Sequence, residues 1–527
     1  MENIYGIPVH GSVEGTEQIV KTHHGYVRGQ VRGKVAIFRG IPYGGPCDKE
    51  HRFLPATEAA DWEGIYDCTR NSPYAVQLGE SIAAANFWSA YWTGGHPELY
   101  GCEDEYQDEN CLFLNVITPG VDDKKRAVIF YMHGGGLNDG SGSAVTGADR
   151  LVKEQDVVVV GVNHRLNVFG YLYLGDLDDK YKDSGLAGFT DLVLALKWVQ
   201  RNIEAFGGDP EKVTIMGESG GGCKVNTLMQ LKEAEGLFRY AIVSSGSMSV
   251  NNFSKEMAAE QRDQLFASLG LKKGDLEGFL KLPARTIEEA RIGHDIKISP
   301  VADDEHLAYI PGNYLKPTEL SRKIPLLVGA SEDELAAFAP DEAFDVSWET
   351  LIDKLCAEKT DMPGSSEAKI TREAAEEIVA EFKKCNVHND NAVQTYMKII
   401  SLAGPLGCTS HFQAKTRAEE DCAPTYQYCN RYDVYHLIPQ KGKYAWHTSE
   451  IPLMMRAVLY ADSEPISHTW GQVIGAFARN GNPSIEGLEW PAYDRDHQKV
   501  MVIDRDFHVE RSPLQAEYDV LEKWGLI

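Results

Sequence analysis

The strongest constraint on the fold is a serine held between glycines, in the pentapeptide Gly-Glu-Ser-Gly-Gly at residues 217–221. An apolar run at 213–216 precedes it, and a segment able to form a helix follows. This order predicts a sharp strand-to-helix turn with Ser219 at its tip. Such a turn strains the serine backbone and leaves no room for neighbouring side chains, so glycine is required on both sides. The hydroxyl would then stand at a helix N-terminus, where free N–H groups favour an oxyanion.

A second glycine motif supports a chemical interpretation of the serine turn. The residues His133-Gly134-Gly135-Gly136 follow an apolar run that ends at Met132. Successive glycines allow backbone N–H groups to approach a substrate oxygen without steric obstruction. Either motif alone is compatible with an ordinary glycine-rich loop. Together, in this order, they predict a serine nucleophile with an oxyanion hole.

The base and the acid of such a site are less constrained by the residues themselves. The expected chain order is serine, then acid, then histidine. His447 is a candidate base, and His436 and His468 are near competitors among the 16 histidines. Three adjacent acids at 332–334 follow an apolar run that ends at Gly329. A buried carboxylate would orient the imidazole and stabilise its cation, but local pattern does not choose among the three.

The remaining pattern is that of an α/β protein. A segment at 192–203 has apolar positions at helical spacing, and nearly continuous apolar runs recur along the chain. Such runs suit strands buried on both faces. We therefore predict a large, mostly parallel central sheet flanked by helices, with helical and loop insertions around the site. The predicted strands include residues 112–117, 127–132, 157–162, 213–216, 240–244, 325–329 and 425–428.

We expect one domain over residues 1–527, because no internal repeat or low-complexity linker interrupts the chain. Residues 78–108 are rich in Trp and Tyr and are interpreted as an aromatic loop near the site entrance. Residues 255–400 are interpreted as a mainly helical insertion region that carries the acid loop.

Composition excludes several classes of protein. The net charge of −26 argues against binding to nucleic acid or to an anionic membrane surface, since both require basic patches. No apolar stretch is long enough to span a membrane, and the N-terminus lacks the pattern of a signal peptide. Ten cysteines in 527 residues are too few for a disulfide scaffold. We therefore expect a cytoplasmic protein.

The chain resembles the type-B carboxylesterase and cholinesterase family of α/β hydrolases over almost its whole length. Residues 206–210 (FGGDP), with the serine pentapeptide, fit the serine signature of that family at every defined position. Residues 109–116 (ENCLFLNV) resemble its second signature, with Asn110 where Asp is usual. Further matches in family order are GIPY at 40–43, NHRL at 163–166, WVQRNI at 198–203 and NGNP at 480–483.

By this resemblance the catalytic residues are Ser219, Glu334 and His447. Glu334 matches a pattern in which Asp-Glu follows a glycine-ended strand and Phe, here Phe338, comes four residues later. His447 matches the pattern H-x-x-E-I. The sequence departs from the family at Leu335, where Gly is usual.

The same resemblance implies three oxyanion donors, the backbone N–H groups of Gly135, Gly136 and Gly220. Leu137 and Glu218 are implied as substrate-binding residues. Leu137 stands where an aromatic residue is common, which would widen the pocket for the acyl group.

The implied function is a serine carboxylesterase that forms an acyl-enzyme and needs no metal or cofactor. Its partner would be a small-molecule ester or lactone. An alternative uses the same triad for lactone hydrolysis or formation, transesterification or amide cleavage, in secondary metabolism or detoxification. A further alternative is a non-catalytic binding protein on the same fold. A homodimer is compatible with the sequence, which carries no feature that selects an oligomeric state.

Overall fold

The protein is described from a computed structural model. The residues that the structure describes are 17–78, 106–145, 147–247, 253–302, 316–357, 370–385, 391–435, 441–458 and 461–527. The predicted aromatic loop at 78–108 lies almost entirely outside these ranges, and His436 also lies outside them. Within the described ranges, no helix combines the length and the apolar content that crossing a membrane requires.

The described strands account for the apolar runs of the sequence. In chain order they are β1 (Glu17–Lys21), β2 (Tyr26–Arg32), β3 (Val35–Pro42), β4 (Ile65–Asp67), β5 (Phe113–Thr118), β6 (Arg126–Met132), β7 (Val158–Val162), β8 (Gly208–Glu218), β9 (Tyr240–Ser244), β10 (Leu326–Ser331), β11 (Thr425–Asn430), β12 (Val434–Tyr435), β13 (Lys443–Tyr444), β14 (Lys499–Ile503) and β15 (Phe507–Arg511). The predicted strands overlap β5 to β11, with differences of a few residues at their ends.

Helices lie between many of these strands. In chain order the described α-helices are α1 (Asp149–Gln155), α2 (Asn167–Tyr171), α3 (Ala187–Asn202), α4 (Gly220–Leu228), α5 (Lys255–Ser268), α6 (Leu276–Leu280), α7 (Ala284–Gly293), α8 (Leu351–Ala357), α9 (Arg372–Cys385), α10 (Ala392–Ala403), α11 (Thr409–Glu419), α12 (Ile451–Met454), α13 (Glu464–Asn480) and α14 (Gln515–Lys523). The strand β10 separates α5–α7 from α8–α10, so the region predicted as a helical insertion at 255–400 contains a strand of the main sheet.

The main sheet has thirteen strands among the described residues, and its order is β1-β2-β3-β5-β7-β6-β8-β9-β10-β11-β14-β15, with β4 beside β2. The pairs from β7 through β6, β8, β9, β10 and β11 to β14 are all parallel. The pairs at either end of the path, β1–β2–β3–β5–β7 and β14–β15, are antiparallel. The predicted mostly parallel sheet is therefore confirmed.

The central strands are apolar on both faces because helices cover both faces. Every residue of β6 is buried. Val128 and Phe130 point into one hydrophobic core, which α3 covers, whereas Ile129 and Tyr131 point into the other, where Trp470 of α13 packs. This alternation follows from the two-residue period of a strand.

The carboxyl ends of parallel strands all lie at one edge of the sheet, so functional side chains that follow these strands collect at that edge. The segments that follow β6, β8, β9 and β10 are therefore neighbours in space. They contain Gly135, Ser219, Ser245 and Glu334 respectively. The topology alone thus gathers the predicted site residues, except His447, whose segment follows β13.

A buried ion pair ties the segment after β7 to α3. Arg165 donates from Nε and Nη2 to the two carboxylate oxygens of Asp191 at 2.9 and 2.7 Å, and its backbone N–H adds a bond of 3.0 Å. The two side chains are 2% and 0% exposed. Removing one partner of such a pair leaves an uncompensated buried charge.

We therefore expect Asp191→Asn to lower the free energy of unfolding by roughly 3–5 kcal/mol. Urea denaturation followed by circular dichroism measures the change. The matched control is Glu58→Gln, which breaks a half-exposed pair with Arg201 and should cost less than about 1 kcal/mol. Equal losses in the two variants would contradict the assignment of Asp191 to the buried framework.

Candidate active site

Ser219 lies at the tip of the predicted strand-to-helix turn, between β8 and α4. Its backbone has φ 56° and ψ −125°, a conformation that a non-glycine residue rarely adopts. A Cβ on Gly217 would lie 2.2 Å from the backbone of Gly221, and a Cβ on Gly221 would lie 2.1 Å from the carbonyl oxygen of Met132. The glycines are therefore needed for space, as the sequence predicted. The Ser219 side chain is partly exposed.

The glycine loop after β6 packs backbone to backbone against this turn. Gly135 and Gly136 have φ of +81° and +62°, and both are exposed. A Cβ on Gly220 would lie 2.2 Å from the carbonyl oxygen of Gly136, and a Cβ on Gly134 would lie 3.4 Å from Cβ of Ser219. The three predicted oxyanion residues, Gly135, Gly136 and Gly220, are thus gathered beside Ser219.

His447 and Glu334 form a buried pair. The Nδ1 atom of His447 is hydrogen-bonded to Oε2 of Glu334, and the two side chains are 2% and 0% exposed. The other carboxylate oxygen of Glu334 accepts from Ser245 Oγ at 2.5 Å and from the backbone N–H of Ser331 at 2.7 Å. These bonds stabilise the charged carboxylate and orient it toward the imidazole ring.

The structure separates Glu334 from the two acids that precede it. Glu332 is paired with Lys398 at 3.2 Å and with Arg431. Burial raises the pKa of Glu332, but the charges of Lys398 and Arg431 lower it further, so the pKa lies well below its usual range. Asp333 accepts a hydrogen bond of 3.2 Å from the backbone N–H of Ala445. Each of the three adjacent carboxylates therefore has a different partner.

The competing histidine His468 is exposed on α13. His447, by contrast, is buried, and its ring contacts Glu334, which follows β10 of the main sheet. Leu335, which departs from the family pattern, donates its backbone N–H to Ser401 Oγ at 2.9 Å. The first turn after Glu334 is therefore held without a glycine.

Glu218 also contacts the imidazole, a feature that sequence reasoning missed. The Nε2 atom of His447 lies 3.1 Å from Oε1 of Glu218, which is 3% exposed. Burial lowers the pKa of His447, but the carboxylates of Glu218 and Glu334 raise it further, so the net pKa lies above the ordinary value of 6.5. Burial also raises the pKa of Glu218, against the opposing effect of His447.

A second buried carboxylate, Glu450, lies behind the Glu334–His447 pair. It accepts hydrogen bonds from Ser244 Oγ, from Ser331 Oγ at 3.1 Å and from Tyr428 at 3.4 Å. Burial and the charge of Glu334 raise the pKa of Glu450. The pattern H-x-x-E-I includes Glu450, three residues after His447, but does not indicate a role for it.

Phe338 borders the pair on the solvent side. Its ring lies 5.2 Å from the His447 ring and is 56% exposed. Leu137 is half-buried and packs partly against the main core. Phe338 therefore places an exposed aromatic side chain beside the ring of His447.

Within the described ranges, the one group of side chains that could hold a metal ion lies away from Ser219. Among the described residues, the cluster whose ligand atoms lie close enough for a metal is Asp504, Asp506 and His508, at the turn between β14 and β15. His508 is hydrogen-bonded through Nδ1 to Asp506 at 2.9 Å and through Nε2 to Glu510 at 3.0 Å. This cluster contributes no residue to the Ser219 site.

The fold and the site together define an α/β hydrolase with a serine at its strand-to-helix turn. The family model described as "Carboxylesterase family" matches residues 16–521. The chain therefore belongs to the carboxylesterase family. It is a serine carboxylesterase, an enzyme that hydrolyses carboxylic esters.

Individual relatives agree with this assignment. The chain is 30% identical over 525 residues to the para-nitrobenzyl esterase of Bacillus subtilis. This alignment covers 94% of this chain and 97% of the relative. It is 27% identical to a pyrethroid hydrolase of Rattus norvegicus, over 93% of this chain and 87% of the relative. The structure superposes on a carboxylesterase of Geobacillus stearothermophilus with a TM-score of 0.77 and 30% identity, over 95% of this chain and 99% of that one.

We expect the His447 imidazole to titrate above pH 6.5 and Glu218→Gln to lower its pKa. The neutral ring forms only as the pH rises through the pKa, so removing the carboxylate should bring the neutral ring to lower pH. Nuclear magnetic resonance of histidine labelled with carbon-13 measures the titration, and the signal is assigned by its loss in His447→Ala. An unchanged pKa in Glu218→Gln would show that Glu218 carries no charge beside the ring.

Proposed function

We propose that Ser219, His447 and Glu334 form the catalytic triad of this esterase. The observation that supports this most strongly is the buried hydrogen bond between His447 and Glu334, because Glu334 follows β10 at the same edge of the sheet as the turn at Ser219. With Nδ1 engaged by Glu334, Nε2 is the nitrogen that accepts a proton, and in this structure it contacts Oε1 of Glu218 at 3.1 Å. Catalytic hydrogen bonds to a serine often tighten only when substrate binds.

In the first half of the reaction, Ser219 Oγ forms a bond to the carbonyl carbon of the ester while its proton passes to Nε2 of His447. The tetrahedral intermediate then collapses, the bond to the alcohol oxygen breaks, and the imidazolium returns the proton to that oxygen. In the second half, water loses a proton to Nε2 and attacks the acyl-enzyme. Collapse releases the carboxylic acid and restores the Ser219 hydroxyl.

We assign the oxyanion donors to the backbone N–H groups of Gly135, Gly136 and Gly220. The open, left-handed backbone of the loop and its close approach to Gly220 support this assignment. Donors aimed at developing charge stabilise the transition state more than the ground state, and each typically contributes about 10²–10³ in rate.

In this proposal Glu218 contacts the general base, His447, and raises the pKa of its ring, and it does not bind the substrate. Its near-complete burial leaves it little surface for a ligand, and its carboxylate faces the ring of His447. Leu137 and Phe338 are the proposed apolar contacts for the two sides of the ester. Small-molecule carboxylic esters are the proposed substrates, consistent with the names of the esterase relatives.

The proposed catalytic residues come from segments spread through the chain, which supports a single domain over residues 1–527. The nine cysteines within the described ranges are free. Free, mostly buried thiols favour a reducing compartment, and we propose a cytoplasmic location on that ground.

Ser219→Ala should lower kcat for para-nitrophenyl acetate by roughly 10⁴- to 10⁶-fold, because no covalent acyl-enzyme can form. The variant should also lose labelling by a fluorophosphonate probe while keeping its melting temperature. His468→Ala, at an exposed position, is the control and should leave kcat unchanged. Activity of Ser219→Ala within tenfold of the wild type would refute the assignment of the nucleophile.

Glu334→Gln should lower kcat by up to about 10⁴-fold, because the neutral amide neither orients the ring correctly nor stabilises its cation. The matched control is Asp333→Asn, which changes the preceding acid in the same way. Because Asp333 is bonded to the backbone of Ala445, we expect its variant to retain most of the activity. Steady-state kinetics on both variants decides which acid serves the base, and the reverse result would reassign the role to Asp333.

A further inference from the structure

Lys224 is a fully buried cation on α4, the helix that begins directly after Ser219. Its side chain is 0% exposed, whereas lysine is almost never fully buried without a partner. The ammonium Nζ donates a hydrogen bond of 3.0 Å to the backbone carbonyl of His133. The ester-hydrolysis steps described above do not use this lysine, so its burial beside the site calls for a separate explanation.

The bond from Lys224 joins the two halves of the proposed oxyanion hole. His133 directly precedes the glycine loop that supplies Gly135 and Gly136, whereas Lys224 shares α4 with Gly220. The distance between the loop and the helix therefore decides whether the donors converge on one oxygen. The glycines permit close approach, and the lysine supplies an attraction across the same gap.

Other side chains hold the far side of this loop. Gln77 donates to the carbonyl of Gly140 at 3.0 Å and accepts from its N–H at 2.9 Å. Asn167 donates from its side chain to the carbonyl of Asn138 at 3.1 Å. These two anchors come from outside α4, whereas Lys224 joins the loop directly to the helix that follows Ser219.

Burial and the neighbouring groups act on the charge of Lys224 in opposite directions. Burial lowers its pKa to about 7, against the effects of Asp139 in the loop, Cys223 on its own helix and Glu218 at the end of β8. His133 and His164 lie on the segments that pack against Lys224, and the centroids of their rings are 5.0 Å apart.

Burial and the lysine charge lower the pKa of both of these histidines, so neither ring carries a competing positive charge near neutral pH. Lys224 is therefore the group of this buried cluster that donates to the loop.

We propose that Lys224 is a positioning residue that sets the geometry of the oxyanion hole by holding the glycine loop against α4. This inference rests on the catalytic roles proposed above for Ser219 and the glycine amides. Oxyanion donors act at 2.7–3.1 Å from the developing charge, and loss of one donor costs about 10²–10³ in kcat. Partial displacement of two donors should therefore affect kcat much more than KM, because the ground-state carbonyl binds them weakly.

The test replaces Lys224 by methionine, which keeps the chain length and removes the donor and the charge. We expect Lys224→Met to lower kcat by about 10- to 100-fold while KM changes less than about threefold. Affinity for a trifluoromethyl ketone, which forms a tetrahedral adduct with the serine, should fall by a similar factor. Rates are expressed per Ser219 site, counted by fluorophosphonate labelling carried to completion.

The kinetic split separates positioning from a merely structural role. Lys224→Met leaves the carbonyl of His133 without its donor, so a lower melting temperature alone does not distinguish the two roles, and kcat and KM are therefore measured well below the melting temperature of each variant. The control on the same helix is Thr227→Val, which removes a buried hydroxyl bonded at 3.0 Å to Cys223. It should leave kcat and the ketone affinity unchanged. Lys224→Gln, which keeps an N–H donor without the charge, should recover part of the lost kcat.

An unchanged kcat per site in Lys224→Met would overturn the inference. Failure of both Lys224 variants to fold would also overturn it, since the lysine would then serve the stability of the fold. The outcome for the proposed function is read separately. An inactive Ser219→Ala beside a normal Lys224→Met rejects only the positioning role, whereas an active Ser219→Ala rejects the nucleophile assignment itself.

Discussion

The close approach of two backbone segments is the constraint on which the site depends. The turn at Ser219 and the glycine loop after β6 come so near that a single methyl group on Gly220 or Gly221 would overlap the facing carbonyl oxygens. Contact at this distance brings the glycine loop beside Ser219, and side chains of the usual size would prevent it. Adjacent parallel strands make the approach possible, because β6 and β8 pair directly and end at the same edge.

The second constraint is the concentration of buried carboxylates around one imidazole. Glu218, Glu334 and Glu450 are all buried within contact of His447 or of the groups that hold it. Such a cluster is unfavourable unless hydrogen bonds and a cation compensate the charges. Serine hydroxyls and the imidazole provide that compensation, and the carboxylates in turn raise the pKa of the ring against the effect of burial.

Residue patterns predicted the sheet, the strained serine turn and the glycine loop, and the structure contains all three. The same patterns left the base and the acid undecided, and only the resemblance to a known family selected Glu334 and His447. The ambiguity has a physical origin. Three adjacent acids share one local pattern, but they point in different directions in the fold. Glu332 pairs with Lys398 and Arg431, whereas Asp333 accepts from the backbone.

The features that sequence reasoning missed are contacts between segments far apart in the chain. Glu218 was expected to touch substrate, and the pattern did not indicate that its carboxylate also lies against the ring of His447. Lys224 received no role, because nothing in its neighbourhood along the chain indicates that its ammonium reaches the carbonyl of His133. Glu450 was visible only as part of a short pattern, without its serine partners.

The sequence by itself determined where the backbone must turn, where it must be free of side chains and which strands must be buried on both faces. These properties depend on near neighbours along the chain, so glycine spacing and apolar runs are sufficient to predict them. The tertiary structure alone decided which carboxylate faces the imidazole, which groups are charged and what holds the loop to the helix. Those properties depend on burial and on partners brought together by the sheet, because the free energy of a buried charge is set by the groups around it.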